Sequence, residues 1–579
     1  MSLELLANEL FFEIFDYLYA VELLRSFDGL NNRLNSLVKK YFLKHRFDFR
    51  RSSKNDFDLI CQRHLPFLTN EILSLGLSDD DEIPTEITQF RSFGYRLIQF
   101  SNLRSLTFDQ IRQGEIITDI LPECQQIIHL NLTSCYFQCP INEIHRLINN
   151  IWNLPSLIYC YLNLIFKSET HVPVPTTISR SIEHLTIIGV WIHLNELTHL
   201  SQCTPRLRYF AFDYSQTNDL GLQMIIPSLN ELNLTYVGVE LDPLENLLQH
   251  LPNLRRLKIE SCYLEMNGYQ WENLIRTFLH RLEQFQLKIK LTIHGEKRKT
   301  DFIKSFQTRF WIEERRWFIQ YHYSFDQSSQ IISLYTLPYV FYKLDLTFPL
   351  QIFSTLSHEQ FDYSFENVTH FLYRSTSNQE QTNLFCFQFA NLTHLSVTLP
   401  INQQFLVFVN KLDRLISLEV SKSKLLSNDD AQIQLQSIID HAPILYSLKF
   451  QSWPIADPLS LTGQFSPFSI QSSSIQRYNF RGYDHSFTDE QLISIDQSTF
   501  SMSCQTLIIR VKNRMNVIYL FNSLPNLRSL IVRSDDDNGR GYPSNQDPFV
   551  QWFIQNFSPT SSIQRDLRYP QYIRIWIGH

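Results

Sequence analysis

Glycine is scarce in this chain, 14 residues among 579. That leaves little room for the glycine-rich loops that press backbone N–H groups onto a phosphate. Neither a P-loop nor a dinucleotide fingerprint occurs, and the H-E-x-x-H and G-x-S-x-G sequences of zinc peptidases and serine hydrolases are missing too. No run of 18 apolar residues is present, so no membrane-spanning helix is expected. The formal charge is only −7 and no basic stripe appears, which argues against nucleic acid as a partner. Nine cysteines, odd in number and scattered, suit reduced thiols and an intracellular location, cytoplasm or nucleus. The amino-terminal stretch to Leu18 is apolar, but Glu4, Glu9, Glu13 and Asp16 interrupt it, so no secretory leader is expected. Cys124, His129, Cys135, Cys139 and His145 fit no C-x-x-C spacing. No metal ligand, cofactor or catalytic residue is assigned, and no enzymatic activity is expected.

What the chain has instead is aromatic and apolar bulk, with 45 Phe, 26 Tyr and 44% hydrophobic residues, enough for an extensive core. Much of it falls in a recurring phrase. Pro155, Pro205, Pro227, Pro252, Pro443 and Pro525 each stand two residues ahead of a leucine. An apolar residue or Cys follows three positions later and another two after that. The copies are Leu157/Cys160/Leu162, Leu207/Phe210/Phe212, Leu229/Leu232/Leu234, Leu254/Leu257/Ile259, Leu445/Leu448/Phe450 and Leu527/Leu530/Val532. Weaker copies such as Leu103/Leu106/Phe108, Ile127/Leu130/Leu132, Ile182/Leu185/Ile187 and Leu392/Leu395/Val397 fill the gaps, at spacings of about 22 to 30 residues. A repeated unit cannot bury its apolar face alone, so it stacks on its neighbours.

Between phrases the spacing turns helical. Asp242-Pro243 supplies a cap and a first-turn proline ahead of Leu244, Leu247, Leu248 and Leu251. Ile144/Leu147/Ile148/Ile151 and Val517/Ile518/Phe521/Leu524 repeat the pattern. The proline that follows releases the chain from helix toward the next strand. Each unit is therefore one short strand plus one helix, an α/β arrangement.

The phrase resembles the leucine-rich repeat, L-x-x-L-x-L-x-x-N/C, with Cys135 and Cys262 at the N/C position. The resemblance implies a leucine-rich-repeat solenoid over 101–579, with parallel strands on a concave face and helices on the convex one. The 290–390 section is diverged and rich in aromatic residues. Strand alternation sends the residues between the apolar positions to the concave face. That face is expected to carry Tyr209, Asp213, Glu231, Asn233, Arg256, Lys258 and Glu260, extended toward the two ends by His129 and Asn131 and by Ser529 and Arg533, and to bind a target protein.

Residues 1–48 do not follow the repeat, and 49–100 read as a helical or irregular connection. Leu6, Leu10, Ile14 and Leu18 fall four apart with Phe11 and Phe15 alongside, and two further short helices follow around Gly29. So small a module cannot bury that much apolar surface by itself. From Leu6 to Val38 it resembles an F-box: Leu6, Glu9, Ile14, Phe15, Leu18, Leu23, Leu24 and Arg33 match the motif, while Ala7 stands where proline is common. This resemblance implies a small three-helix F-box preceding the repeats, in the substrate-recognition subunit of an SCF-type ubiquitin ligase. Leu6, Leu10, Phe11, Ile14, Phe15 and Leu18 would dock a Skp1-like adaptor and, through it, a cullin. The other reading is a repeat scaffold without a ligase.

Overall fold

Residues 5–45 form three helices, α1 (Asn8–Phe15), α2 (Ala20–Phe27) and α3 (Asn32–Phe42). The computed structural model describes residues 5–167, 171, 173–215, 224–238, 241–293, 296–326, 329–348, 350–356, 365–375, 387–402, 405–409, 412–424, 426–454, 467–537 and 546–578. Gly29, at φ 83°, makes the turn after α2. The Asn31 side chain then caps α3 by accepting from the Leu34 N–H at 2.9 Å. Phe11 and Phe15 are fully buried and meet Phe27 with ring centroids 6.1 and 5.1 Å away, and Phe15 meets Tyr41 at 5.6 Å.

The chain divides into two units, Met1–Thr235 with Asp242–Arg255 and Gly539–His579, and Tyr236–Leu241 with Arg256–Asn538. In the first, the strands are β1 (Arg46–Phe47), β2 (Ser74–Ser78), β3 (Ser105–Asp109), β4 (His129–Phe137), β5 (Tyr159–Phe166), β6 (His184–Trp191), β7 (Tyr209–Ser215) and β8 (Glu231–Val237). They follow one another in chain order, and β1 to β7 pair parallel throughout. The ladder starts at β1 and β2, ahead of the expected start at 101: Ile72/Leu75/Leu77 is a further copy of the phrase on β2, so the 49–100 stretch contributes a strand as well as a connection. Leu106, Phe108, Leu130, Leu132, Cys160, Leu162, Leu185, Ile187, Phe210 and Phe212 point inward and are essentially inaccessible. Each large side chain so placed stabilises the stack by ~1.5–3 kcal/mol.

Helices α4 (Lys54–Leu59), α5 (Glu86–Ser92), α6 (Gly114–Ile120), α7 (Ile141–Trp152) and α8 (Leu194–Cys203) lie between strands. Ile144, Leu147, Ile148 and Ile151 of α7 are buried, as their spacing predicts. Strand–helix units on a parallel ladder, with the phrase leucines inside, make this an α/β repeat protein of leucine-rich-repeat type.

The two N/C-position cysteines part company. Cys135 is buried and its thiol donates to the Phe108 carbonyl at 3.5 Å, whereas Cys262 is exposed. Plain two-residue alternation would turn this position outward. In β4, Ser134 at φ 53° and a register shift between Leu132 and Cys135 slip the phase by one residue and bring the thiol in. The strand carrying Cys262 keeps strict alternation, so Ser261 goes inside instead and donates to the Tyr236 carbonyl at 2.8 Å.

In the second unit, β9 (Arg256–Cys262) and β10 (Gln284–Thr292) pair parallel. The stretch expected as diverged repeats then departs from the pattern. Among β11 (Ile319–Asp326), β12 (Ser329–Thr336), β13 (Lys343–Phe348) and β14 (Leu350–Ser354), β11 pairs antiparallel with both β12 and β14, and β12 pairs antiparallel with β10. Ahead of them a basic stretch forms helix Glu296–Lys304, while His294 and Gly295 lie outside the described residues. Trp311, fully buried, packs against Phe285, Phe306, Phe310 and Trp317. Parallel pairing resumes from β13 through β15 (His370–Ser375), β16 (His394–Leu399), β17 (Ser417–Lys422), β18 (Ser447–Ser452), β19 (Arg477–Asn479), β20 (Thr506–Val511) and β21 (Ser529–Ser534).

The first unit also holds the last hairpin, β22 (Ser562–Arg565) with β23 (Ile573–Trp576). Arg574 reaches Asp79 at the end of β2 with a 2.9 Å ion pair and donates to the Asp79 and Asp80 carbonyls. Among the described residues no helix is long and apolar enough to cross a membrane.

Candidate functional site

From β3 to β7 the residue just before the second apolar position of the phrase faces solvent, whereas on β20 and β21 that residue, Thr506 or Ser529, is buried. Reading across the first unit, that residue is Ser105, His129, Tyr159, His184 and then Tyr209, each in direct register with the next. Parallel strands lie roughly 4.8 Å apart, about the thickness at which flat rings can stack. The rings do so: His129 on Tyr159 at 4.5 Å and 6°, Tyr159 on His184 at 4.5 Å and 20°, His184 on Tyr209 at 5.9 Å and 29°. Four rings thus form a continuous ladder across four repeats.

The adjoining column is Thr107, Asn131, Tyr161 and Thr186. Together the two columns line an open groove of about 410 Å³. None of the lining residues is an acid, a lysine or an arginine. Burial holds the His129 pKa below its ordinary value, so that ring is neutral near pH 7. The groove therefore offers imidazole nitrogens, phenolic O–H groups, hydroxyls and one amide beside aromatic surface, with no fixed charge. Such a surface suits a polar, uncharged segment of a partner better than a highly charged one.

The expected face residues divide. His129, Asn131 and Tyr209 line the groove, and Glu231 and Asn233 lie half-buried on β8. Asp213 is occupied locally: it accepts from the Gly189 N–H at 2.9 Å, at a bulge where Gly189 has φ 81°. In the second unit Arg256 is exposed, but Lys258 stands over the Phe341 ring at 4.7 Å and donates to the Val340 carbonyl. Burial depresses its pKa, against the pull of Glu260. Glu260 itself takes the Lys288 ammonium at 2.7 Å. Lys258 and Glu260 are thus engaged within the fold. Tyr159 and His184 are the residues the phrase pattern passed over. Aligning the copies and reading down the column before the second apolar position finds both.

Of the expected adaptor contacts, Phe11 and Phe15 lie inside the three-helix head, Leu10 is exposed, and Leu6, Ile14 and Leu18 are half-buried. Cys124 and Cys135 are buried, and His129 stands on the opposite, solvent side of β4.

No protein-family model matches the chain, and no curated protein does. Among solved structures it is similar to an internalin (inlF) from Listeria monocytogenes, at 11% identity over 74% of this chain and 94% of that one, with a TM-score of 0.25.

Proposed function

We propose that this chain is a non-catalytic repeat scaffold that binds a protein partner on the solvent face of the first unit's parallel sheet. The observation that carries the reading is the stacked ladder of His129, Tyr159, His184 and Tyr209 along one groove. Stacked rings are already ordered in the free protein, so a partner meets them at little cost in side-chain entropy. Tyrosine is also over-represented among residues that dominate interface energies, at 2 kcal/mol or more each. The test is affinity capture with the full chain against Tyr159→Ala/His184→Ala, followed by titration of the captured protein. Kd should rise by roughly 30-fold or more. A Kd unchanged by the double substitution would assign the contact elsewhere.

A second reading rests on the amino-terminal head, whose resemblance to an F-box points to a Skp1-like adaptor and an SCF-type ligase. It is favoured by the apolar side chains the head leaves uncovered, Leu10 at 43%, Tyr17 at 88% and Leu30 at 62% exposure. On this reading Leu10, with Leu6, Ile14 and Leu18 around it, makes the adaptor contact, while Phe11 and Phe15 only hold the head together. Leu10→Asp should then abolish co-purification of adaptor and cullin without changing capture by the ladder. If the intact chain recovers no adaptor, or Leu10→Asp recovers as much as the parent, the ligase reading fails and the scaffold reading stands.

A further inference from the structure

His171, His193 and Glu196 each bring one possible ligand atom to within 4.8 Å of the others. They come from two segments. Trp191 ends β6, His193 is the N-cap residue of α8, and Glu196 is the third residue of that helix, so both project from its first turn. His171 arrives on a separate stretch that bridges Trp191 in parallel. The Glu196 carboxylate accepts from the His193 backbone N–H at 2.8 Å, which fixes it against the turn. It also supplies the negative charge a cation needs beside the positive end of a helix.

The two imidazoles face each other nitrogen to nitrogen, with Nε2 of His193 3.2 Å from Nε2 of His171. Two nitrogens on one tetrahedral zinc, each ~2.0–2.1 Å from the metal, stand roughly 3.3–3.4 Å apart. The separation needed is therefore already present. The rings are stacked at 4.0 Å and 29°. Aiming both nitrogens at one point takes a rotation about χ2, a soft torsion for histidine.

We propose that His171, His193 and Glu196 form a site for a borderline divalent transition-metal ion of the zinc class. Two imidazoles and one carboxylate supply three ligands, and the fourth position is open to water or to a partner's side chain. The bound ion ties the segment before β6 to the start of α8. The site stands on geometry separate from the ring ladder and does not depend on the proposed function.

The test is calorimetric titration of Zn²⁺ alone into the metal-stripped full chain, compared with His171→Ala, His193→Ala and Glu196→Gln. The nine cysteines are common to every variant, so any thiol uptake cancels in the comparison. The parent should bind one equivalent that each histidine variant lacks. Glu196→Gln keeps a side-chain oxygen for the helix cap, and it should retain the fold while weakening that equivalent by about tenfold or more. Co²⁺ in its place should give visible ligand-field bands without the thiolate charge-transfer band. Equal zinc uptake by the parent and both histidine variants overturns the site, and Glu196→Gln binding at parental affinity overturns the three-ligand set.

Discussion

Replacing Arg574 with alanine speeds hydrogen exchange at the β23 amides by about two to nearly four powers of ten. That is the equivalent of the ~3–5 kcal/mol lost when one partner of a buried ion pair is removed. The reason lies in what Arg574 leaves behind. Its side chain is wholly inaccessible, as is that of Asp566, and Asp79 is 3% exposed. Burial works against the charge on Arg574, but Asp79, Asp566 and Asp81 outweigh it and raise the guanidinium pKa. Arg112 holds Asp81 at 3.2 Å and stands 3.8 Å from Asp566, so two cations serve three buried carboxylates. Without Arg574 one cation faces three.

Asp79 also organises the backbone, accepting from the Thr85 N–H at 2.6 Å and the Arg112 N–H at 3.2 Å. Losing Arg574 therefore loosens the end of β2 along with β23. Trp576, in the same strand, is buried against Phe57 at 5.1 Å and comes free with it. The double variant Arg574→Met/Asp79→Asn should recover part of the protection, because it removes a stranded charge together with its partner. Exchange at Ile573–Trp576 within tenfold of the parent in Arg574→Ala would mean that apolar packing alone holds this strand.

This clasp joins residues 495 positions apart, and nothing in the local pattern around Arg574 names its partner. The repeat was legible for the opposite reason. Alternating side chains force the apolar positions of each strand inward, so the phrase marks β3 to β9 residue by residue. It misses β1, which is 2 residues long and carries no full phrase, while β2 does carry a copy, Ile72/Leu75/Leu77, ahead of the expected start of the array at 101. It also misses the antiparallel turn of the sheet at 319–354, where apolar alternation is kept but strand direction reverses. Alternation is blind to direction. In α1 the four-residue spacing of Leu6, Leu10, Ile14 and Leu18 singled out a broad apolar face without saying which stripe turns inward. The two phenylalanines, with larger surfaces to bury, take the interior against Phe27 and Tyr41, and Leu10 is left outside. The solvent-facing ring ladder was legible in His129 and Tyr209, and Tyr159 and His184 emerge once register aligns the strands; Ser529, expected at the far end of the same face, is buried. Asp213, Lys258 and Glu260 show the limit of alternation: it gives the side a residue faces and not what meets it there.

Acid should weaken the second unit through His322. The imidazole lies on β11, 4% exposed, with Nε2 2.8 Å from the Tyr335 hydroxyl and 3.1 Å from the Gln320 amide nitrogen. Both groups can donate to Nε2, which favours the neutral ring, and burial pushes the pKa down from 6.5 to about 3. An unfolded chain takes up a proton at this histidine below about pH 6.5, while the folded one refuses it until about pH 3. Between those values the unfolded state binds more protons, so stability falls as the pH falls, by ~1.4 kcal/mol per unit. From about pH 6.5 to 4.5 the loss is roughly 2.3 kcal/mol. Other groups push the other way. In the first unit burial raises Asp109 to about 6, so there the folded state holds the extra proton between about pH 6 and 3.8, and acid stabilises it. The raw profile mixes these signs, and the difference between the parent and His322→Gln isolates one. Glutamine keeps an acceptor for Tyr335 and cannot titrate. Urea unfolding of both proteins, followed by exchange at the β11 and β12 amides, should show the parent losing stability relative to the variant at about 1.4 kcal/mol per pH unit. Parallel curves from about pH 7 to 4.5 would mean that the ring is protonated where it sits, with Tyr335 and Gln320 turned to accept from it.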